Sequence, residues 1–267
     1  MRTIAFASGK GGSGKTTLAV HMAEGLRRRG NRVLLVDLDP LGHATAWLLG
    51  LSGVGGKGTA EALLADAIQE EHLRAVPDHD GLHLLPATLA LHGAEKAIAG
   101  EPHPDGALRA ILRDAGERWD FAVLDCQPNI GTLTLNAIVA ADGIVAPIAP
   151  TGLGAIGGLR LLESMVKKLQ RRTGSEEEGR ILGYVLFGAD ERTNLPDEVR
   201  EVLRREAPGK LYRGAVRISV AGQALSFQRR TAWDDGADPR GAEDYPAILR
   251  ETLARLEGTP GLRKVKG

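Results

Sequence analysis

The stretch Gly9-Lys10-Gly11-Gly12-Ser13-Gly14-Lys15-Thr16-Thr17 decides the architecture of this chain, because it fits G-x-x-x-x-G-K-[ST] between an apolar run and a helical pattern. Glycines at these positions let the backbone curl so that successive N–H groups face inward, and the helix opening near Thr16 adds the positive end of its dipole. Such a nest holds phosphate. Within it Lys15 is placed to reach the β- and γ-phosphates of ATP and the Thr16 hydroxyl to ligate Mg²⁺. Gly9, Gly11 and Gly14 also satisfy G-x-G-x-x-G, and Asp37 closes the second apolar run, where a dinucleotide-binding fold places its ribose-binding acid. Three features speak against a dinucleotide-dependent oxidoreductase: the Lys15-Thr16 pair, a second acid at Asp39, and a further run ending in Asp125. A merely flexible glycine turn leaves a Lys-Thr pair at a helix start unexplained.

Outward from this loop, apolar runs at 3–7, 32–37, 121–125, 143–147 and 181–186 read as buried parallel strands, each closed by turn residues. Helical patterns cover 16–29, 108–118, 133–141, 156–172, 197–206 and 243–256. The alternation predicts an α/β fold, a single-domain P-loop NTPase with a mostly parallel twisted sheet and helices on both faces. Residues 51–58, 101–104 and 174–179 read as loops. The domain is expected over 1–258, with 259–267 as a flexible basic tail.

The 267 residues carry 34 basic and 34 acidic side chains, so any nucleic-acid surface has to be a local patch. A lone cysteine, Cys126, allows no intrachain disulfide and is expected to pack as a small residue. No apolar run is long enough to span a bilayer and no signal sequence is apparent, so the cytoplasm is the expected location. His43, His79, His83 and His103 show no ligand spacing.

With Lys10 before the glycines, the loop resembles the deviant P-loop of the ParA and MinD group of ATPases. The resemblance extends through Asp37-Leu38-Asp39-Pro40, the segment Phe121-Ala122-Val123-Leu124-Asp125-Cys126-Gln127-Pro128, and Asp190-Glu191-Arg192-Thr193-Asn194 with Arg240-Gly241-Ala242-Glu243-Asp244-Tyr245. The last two are closer to ParA than to MinD, and the short basic end lacks the amphipathic helix by which MinD proteins hold a membrane. A chain of this length is similar to the short, Soj-like kind. It departs from the pattern at Leu41-Gly42-His43, at Cys126-Gln127-Pro128, and at Val216-Arg217-Ile218, which stands where relatives carry Pro-Arg-Asn near the base.

The resemblance implies roles. Gly9, Lys10, Gly11, Gly12, Ser13, Gly14, Lys15, Thr16 and Thr17 bind nucleotide; Thr16, Asp39 and Asp125 serve the metal; Lys10, Lys15 and Asp39 are catalytic, Asp39 by positioning the attacking water. An Asp before a proline also caps turns, and a lone loop lysine is ordinarily solvated. In the family, Lys10 crosses to a second subunit's phosphates in an ATP-dependent homodimer, and Gly11 and Gly12 permit the close approach. The dimer binds nonspecific DNA, here through Arg192, Arg217, Arg229 and Arg230, because a further family arginine falls on Val220. Lys167, Lys168, Arg171 and Arg172 read as a solvated helix end or, alternatively, as a DNA patch. A ParB-like adaptor stimulates hydrolysis, so that DNA is segregated over the nucleoid; the alternative is a ParA-like ATPase that positions a protein cargo with little DNA binding.

Overall fold

Wholly buried strands without polar alternation demand helices on both sides, and that is what forms. The computed structural model describes residues 1–151 and 153–258, without the side chains of 153 and 155; the expected tail at 259–267 lies outside the described residues. Its strands are β1 (Arg2–Phe6), β2 (Val33–Leu38), β3 (Arg74–Ala75), β4 (Leu82–Leu85), β5 (Phe121–Cys126), β6 (Gly143–Ile148), β7 (Ile181–Ala189) and β8 (Leu211–Arg217). They join in the order β3-β4-β2-β5-β1-β6-β7-β8, all parallel except the short β3 at one edge.

The helices are α1 (Lys15–Arg28), α2 (His43–Leu49), α3 (Thr59–Leu64), α4 (Leu91–Ala99), α5 (Ala107–Asp114), α6 (Thr132–Ala140), α7 (Leu153–Thr173), α8 (Leu195–Glu206), α9 (Val220–Gln228) and α10 (Gly241–Glu257). The period-two alternation of strand side chains sorts them. Ile4 and Phe6 point into a core shared with α1, α2, α9 and α10, whereas Ala5 and Ala7 point into the core under α3 to α8. The single α/β domain and parallel sheet expected from the sequence are therefore present. The pattern read at 108–118 continues as one helix only to Asp114, because Gly116 takes φ +63° and the chain turns. Residues 51–58 hold a single 3₁₀ turn, Leu51–Gly53, before α3 begins.

On the α1 side, His21 is 1% exposed, stacked on Tyr245 with ring centroids 3.7 Å apart. Its Nδ1 lies 2.7 Å from the Thr17 carbonyl, to which it donates, while Nε2 accepts from the Ala232 N–H at 3.0 Å. Burial pushes its pKa down to about 4, with the Thr17 carbonyl, Asp238, Asp234 and Glu24 pulling the other way. The unfolded chain takes up this proton near pH 6.5 and the folded chain only near 4, so stability is complete above 6.5 and falls as pH drops toward 4. The loss should be on the order of 3 kcal/mol. Thermal melts between pH 7 and 4.5 should show a steeper decline for the wild type than for His21→Gln, which has no such proton to gain; parallel profiles would remove His21 as the cause.

Candidate functional site

The phosphate loop leaves the C-terminal end of the central strand β1, and its shape follows from residues without side chains. Gly12 and Gly14 take φ +69° and +95°, which side-chain-bearing residues rarely adopt. A Cβ on Gly14 would stand 2.3 Å from Cγ of Phe187, and one on Gly9 would stand 3.0 Å from the Gly158 carbonyl, so both positions also require the missing atom for packing. Gly14 caps α1 without any side-chain hydrogen bond, and no acidic residue occupies the first turn. The N–H groups that open α1 therefore meet no carboxylate of their own turn and are free for an anion.

Lys15 is buried, its Nζ donating to the Lys10 carbonyl at 3.2 Å. Burial lowers its pKa from 10.5, while Asp125 opposes the fall. Ser8 and Ser13 share a hydrogen bond of 2.6 Å, and both hydroxyls lie 3.2 Å from that same carbonyl, to which the one that accepts from its neighbour can donate, so the loop is braced from within. The Lys10 side chain turns the other way: its Nζ donates to Thr151 Oγ1 at 2.8 Å and lies where a Cβ on Gly154 would come within 2.9 Å. Gly12 has nothing within 4 Å of its Cβ position, and Gly11 only Pro128 at 3.8 Å, which leaves this side of the loop open.

Three carboxylates gather at the ends of β2 and β5, with Asp37 and Asp125 paired across the two strands. Asp37 is fully buried and bound to its own scaffold: its Oδ2 accepts from the Thr45 N–H at 2.9 Å and hydroxyl at 2.7 Å, and its Oδ1 from the Asp39 N–H at 3.1 Å. Burial pushes its pKa up to about 6 against those bonds. An acid so enclosed is not presented to a ribose, which removes the geometric basis of the dinucleotide reading. Asp39 is nearly buried, and its Oδ1 accepts from the Leu41 N–H at 3.0 Å, so it does cap the turn at Pro40. Its Oδ2 takes none of the hydrogen bonds found among the described residues, and that oxygen remains available.

Asp125 differs from both. Its two oxygens are buried without a hydrogen-bond partner among the described residues. Burial first, then the neighbouring Asp37, holds its carboxyl well above the ordinary range, while Thr16 and Lys15 draw it down. A buried carboxylate is stable when paired or bound to a cation, and hydroxyl and carboxylate oxygens are the donors that a hard divalent ion takes. Thr16 and Asp125 thus fit Mg²⁺. The next residue, Cys126, is buried with its thiol pushed upward by burial, which makes it a packing residue as expected.

A cavity of about 520 Å³ opens beside the loop between Gly12, Thr17, Phe187 and the segment from Val216 to Ser219. Its size suits a nucleoside. Val216, Arg217 and Ile218, the segment that departs from the family pattern, line it. Arg217 is already engaged: its Nη2 meets Glu243 at 2.7 Å and Asp244 at 2.9 Å. Neither Phe187 nor Thr151 was expected from the sequence, which offers no signal for them beyond their nearness to strand ends.

The remaining basic candidates are not among the residues that line this cavity. Arg192 follows β7, is 83% exposed on its side chain and rests on Asp190 at 2.8 Å. Arg229 ends α9 at φ +52° and donates to the Leu48 carbonyl at 3.3 Å, and Arg230 donates to the Asp235 carbonyl at 2.8 Å. Val220, 84% exposed, occupies the first turn of α9.

Comparison with known proteins gives a consistent picture. A family model described as an AAA domain matches residues 1–178. The chromosome-partitioning ATPase Soj of Thermus thermophilus is 39% identical over 259 residues, covering 96% of this chain and 97% of that protein. Among solved structures, cobyrinic acid a,c-diamide synthase from Mycobacterium smegmatis, with a bound ATP analogue and magnesium, superposes with a TM-score of 0.79 at 28% identity, over 97% of this chain and 96% of that one. Cyanothece apo McdA superposes with a TM-score of 0.84 at 23% identity, over 95% and 99%, and shows likeness of fold.

Proposed function

Because the chain belongs to the ParA and Soj family of partitioning ATPases, we propose that MgATP closes two copies face to face and that the dimer, bound to nonspecific DNA, hydrolyses ATP when an adaptor stimulates it. The protein is a P-loop ATPase using ATP and Mg²⁺. The observation that carries this reading is the uncapped start of α1 with Lys15 inside it and the unpartnered Asp125 beside it. Lys15 and the loop N–H groups bind and orient the phosphates; Thr16 and Asp125 hold the metal; Asp39 orients a water through Oδ2. Mg²⁺, when bound, neutralises charge developing on the phosphate oxygens. No helix among the described residues is long and apolar enough to cross a membrane. The proposed setting is the cytoplasm, at the nucleoid.

Dimerisation rests on Lys10 leaving Thr151 for the partner copy's phosphates and on the open approach at Gly11 and Gly12. With a nonhydrolysable ATP analogue, light scattering should report a dimer for the wild type and a monomer for Lys10→Ala and for Gly11→Val. A normal dimer from either variant would refute the trans role of that residue.

Arg229 and Arg230 can meet phosphates without giving up an ion pair found among the described residues, whereas Arg192 would have to release Asp190, and Arg217 both Asp244 and Glu243. Such contacts are blind to sequence and sensitive to salt. Arg192→Ala removes two contacts per dimer, so the log–log salt slope for a random duplex should lose roughly two units. The exposed Val220 favours a second reading, a switch that positions a protein cargo with little DNA binding. An ATP-trapped wild-type dimer that fails to bind duplex at low salt would favour that reading.

A further inference from the structure

We propose that a cavity of about 1400 Å³, away from the phosphate loop, is a docking groove for an acidic, apolar-containing segment of a partner polypeptide. Its floor is the start of β7 and β8, at Ile181, Leu182 and Leu211, and its walls come from α7 and the C-terminal half of α10. Because β1, β6, β7 and β8 run parallel, and the phosphate loop leaves the C-terminal end of β1, the groove opens at the opposite edge of the sheet. The cavity beside the phosphate loop and this groove share no lining residue.

The charge of the groove is unbalanced. Lys167, Arg180, Lys210, Arg213 and Arg250 line it, and none of their side chains forms a hydrogen bond or ion pair among the described residues. Nη1 of Arg180 is buried at its edge with no hydrogen-bond partner among the described residues, a state that costs free energy unless an acceptor arrives. Of the three carboxylates that line it, Glu251 is in an ion pair among the described residues. Glu163 accepts from the Tyr184 hydroxyl at 2.7 Å, and Glu251 takes Arg255 at 2.6 Å together with the Arg213 N–H at 3.0 Å. Glu163 and Glu176, neither in an ion pair among the described residues, remain to face five cations.

Size and floor choose the occupant. The cavity exceeds the usual range for small-molecule sites, roughly 300–1,000 Å³, so a polymer segment suits it better than a metabolite. A nucleic-acid backbone would satisfy the cations but leave Ile181, Leu182 and Leu211 facing phosphate and sugar. An amphipathic helix laid between α7 and α10 meets both demands, with leucine-like side chains on the floor and carboxylates on the rim. The chain's own residues 259–267 carry Arg263, Lys264 and Lys266, the same sign as the rim, and are poor candidates for it.

The test uses the full chain with MgATP and a fluorescein-labelled peptide that has leucines on one helical face and glutamates elsewhere. Fluorescence anisotropy should show binding that weakens as salt rises. Lys210→Glu/Arg213→Glu/Arg250→Glu should bind that peptide at least about tenfold more weakly and gain affinity for its lysine counterpart, because reversing the rim reverses the preference. ATP hydrolysis by the variant should be unchanged, which verifies its fold. Failure of the wild type to bind the glutamate peptide, or equal binding by wild type and variant, would overturn the proposal. So would a variant that loses random-sequence duplex but keeps the peptide, since the groove would then be a nucleic-acid surface.

Discussion

Lys15→Ala should abolish measurable MgATP binding while leaving a folded protein. In the structure the Lys15 ammonium is held in a low-dielectric pocket by a single long hydrogen bond to the Lys10 carbonyl, and burial already depresses its pKa. No other side chain of the loop delivers a positive charge to that point, because Lys10 turns away to Thr151. Removing one partner of a buried charge pair costs about 3–5 kcal/mol, which weakens binding by about 10²–10⁴. The apo fold loses little, since a buried cation is itself a burden on the unliganded state. Titration calorimetry with MgATP checks the affinity, and a melt in the absence of nucleotide checks the fold. Gly14→Ala is the contrasting control. There the added Cβ would enter the Phe187 ring at a left-handed backbone position, so the melt itself should drop. Binding by Lys15→Ala within about threefold of the wild type, on the order of 0.6 kcal/mol, would dissolve the assigned role.

The part of this site that sequence made legible is the part whose chemistry is local. The phosphate loop is nine consecutive residues whose glycines and Lys-Thr pair carry their meaning wherever a strand precedes and a helix follows. Asp125 was found because it ends an apolar run, and Asp39 because the resemblance to the ParA and MinD group carries the water-positioning acid onto it, two residues past the end of another run. The separate job of Asp37 was not legible, because it depends on Thr45, eight residues away, whose hydroxyl also receives the Ala87 N–H. Strand β8 escaped notice for a similar reason. Leu211-Tyr212-Arg213-Gly214-Ala215-Val216-Arg217 mixes charge and glycine, and as an edge strand its Arg213 and Arg217 N–H groups donate to Glu251 and Asp244 of α10 instead of to another strand. No periodicity in the sequence announces a strand completed by side chains from thirty residues downstream. The short elements α2, α3, α4, α9 and β4 are likewise too brief for a hydrophobic period to stand out from the loops around them.

Asp39→Ala should separate binding from turnover. The Asp39 carboxylate gives one oxygen to the Leu41 N–H and leaves the other unused, two residues beyond the buried Asp37 and at the same end of the sheet as Asp125. An acid so placed is not part of the phosphate cradle, which the loop N–H groups and Lys15 supply. Its removal should leave ATP affinity near that of the wild type and lower hydrolysis by about 10²–10⁴, the usual worth of a positioned acid or base. The turn at Pro40 loses one hydrogen bond, a cost of about 1 kcal/mol. Asp37→Ala should do the opposite. It strips partners from the Thr45 N–H, the Thr45 hydroxyl and the Asp39 N–H in a fully buried position, so the melt falls by several degrees. Because hydrolysis limits the life of the proposed ATP dimer, Asp39→Ala should also hold that dimer longer once ATP is added. Single-turnover hydrolysis and time-resolved light scattering on the same sample read both consequences. Undiminished turnover in Asp39→Ala would leave the carboxylate as a turn cap alone, and the water would have to be oriented by another group at the ends of β2 and β5.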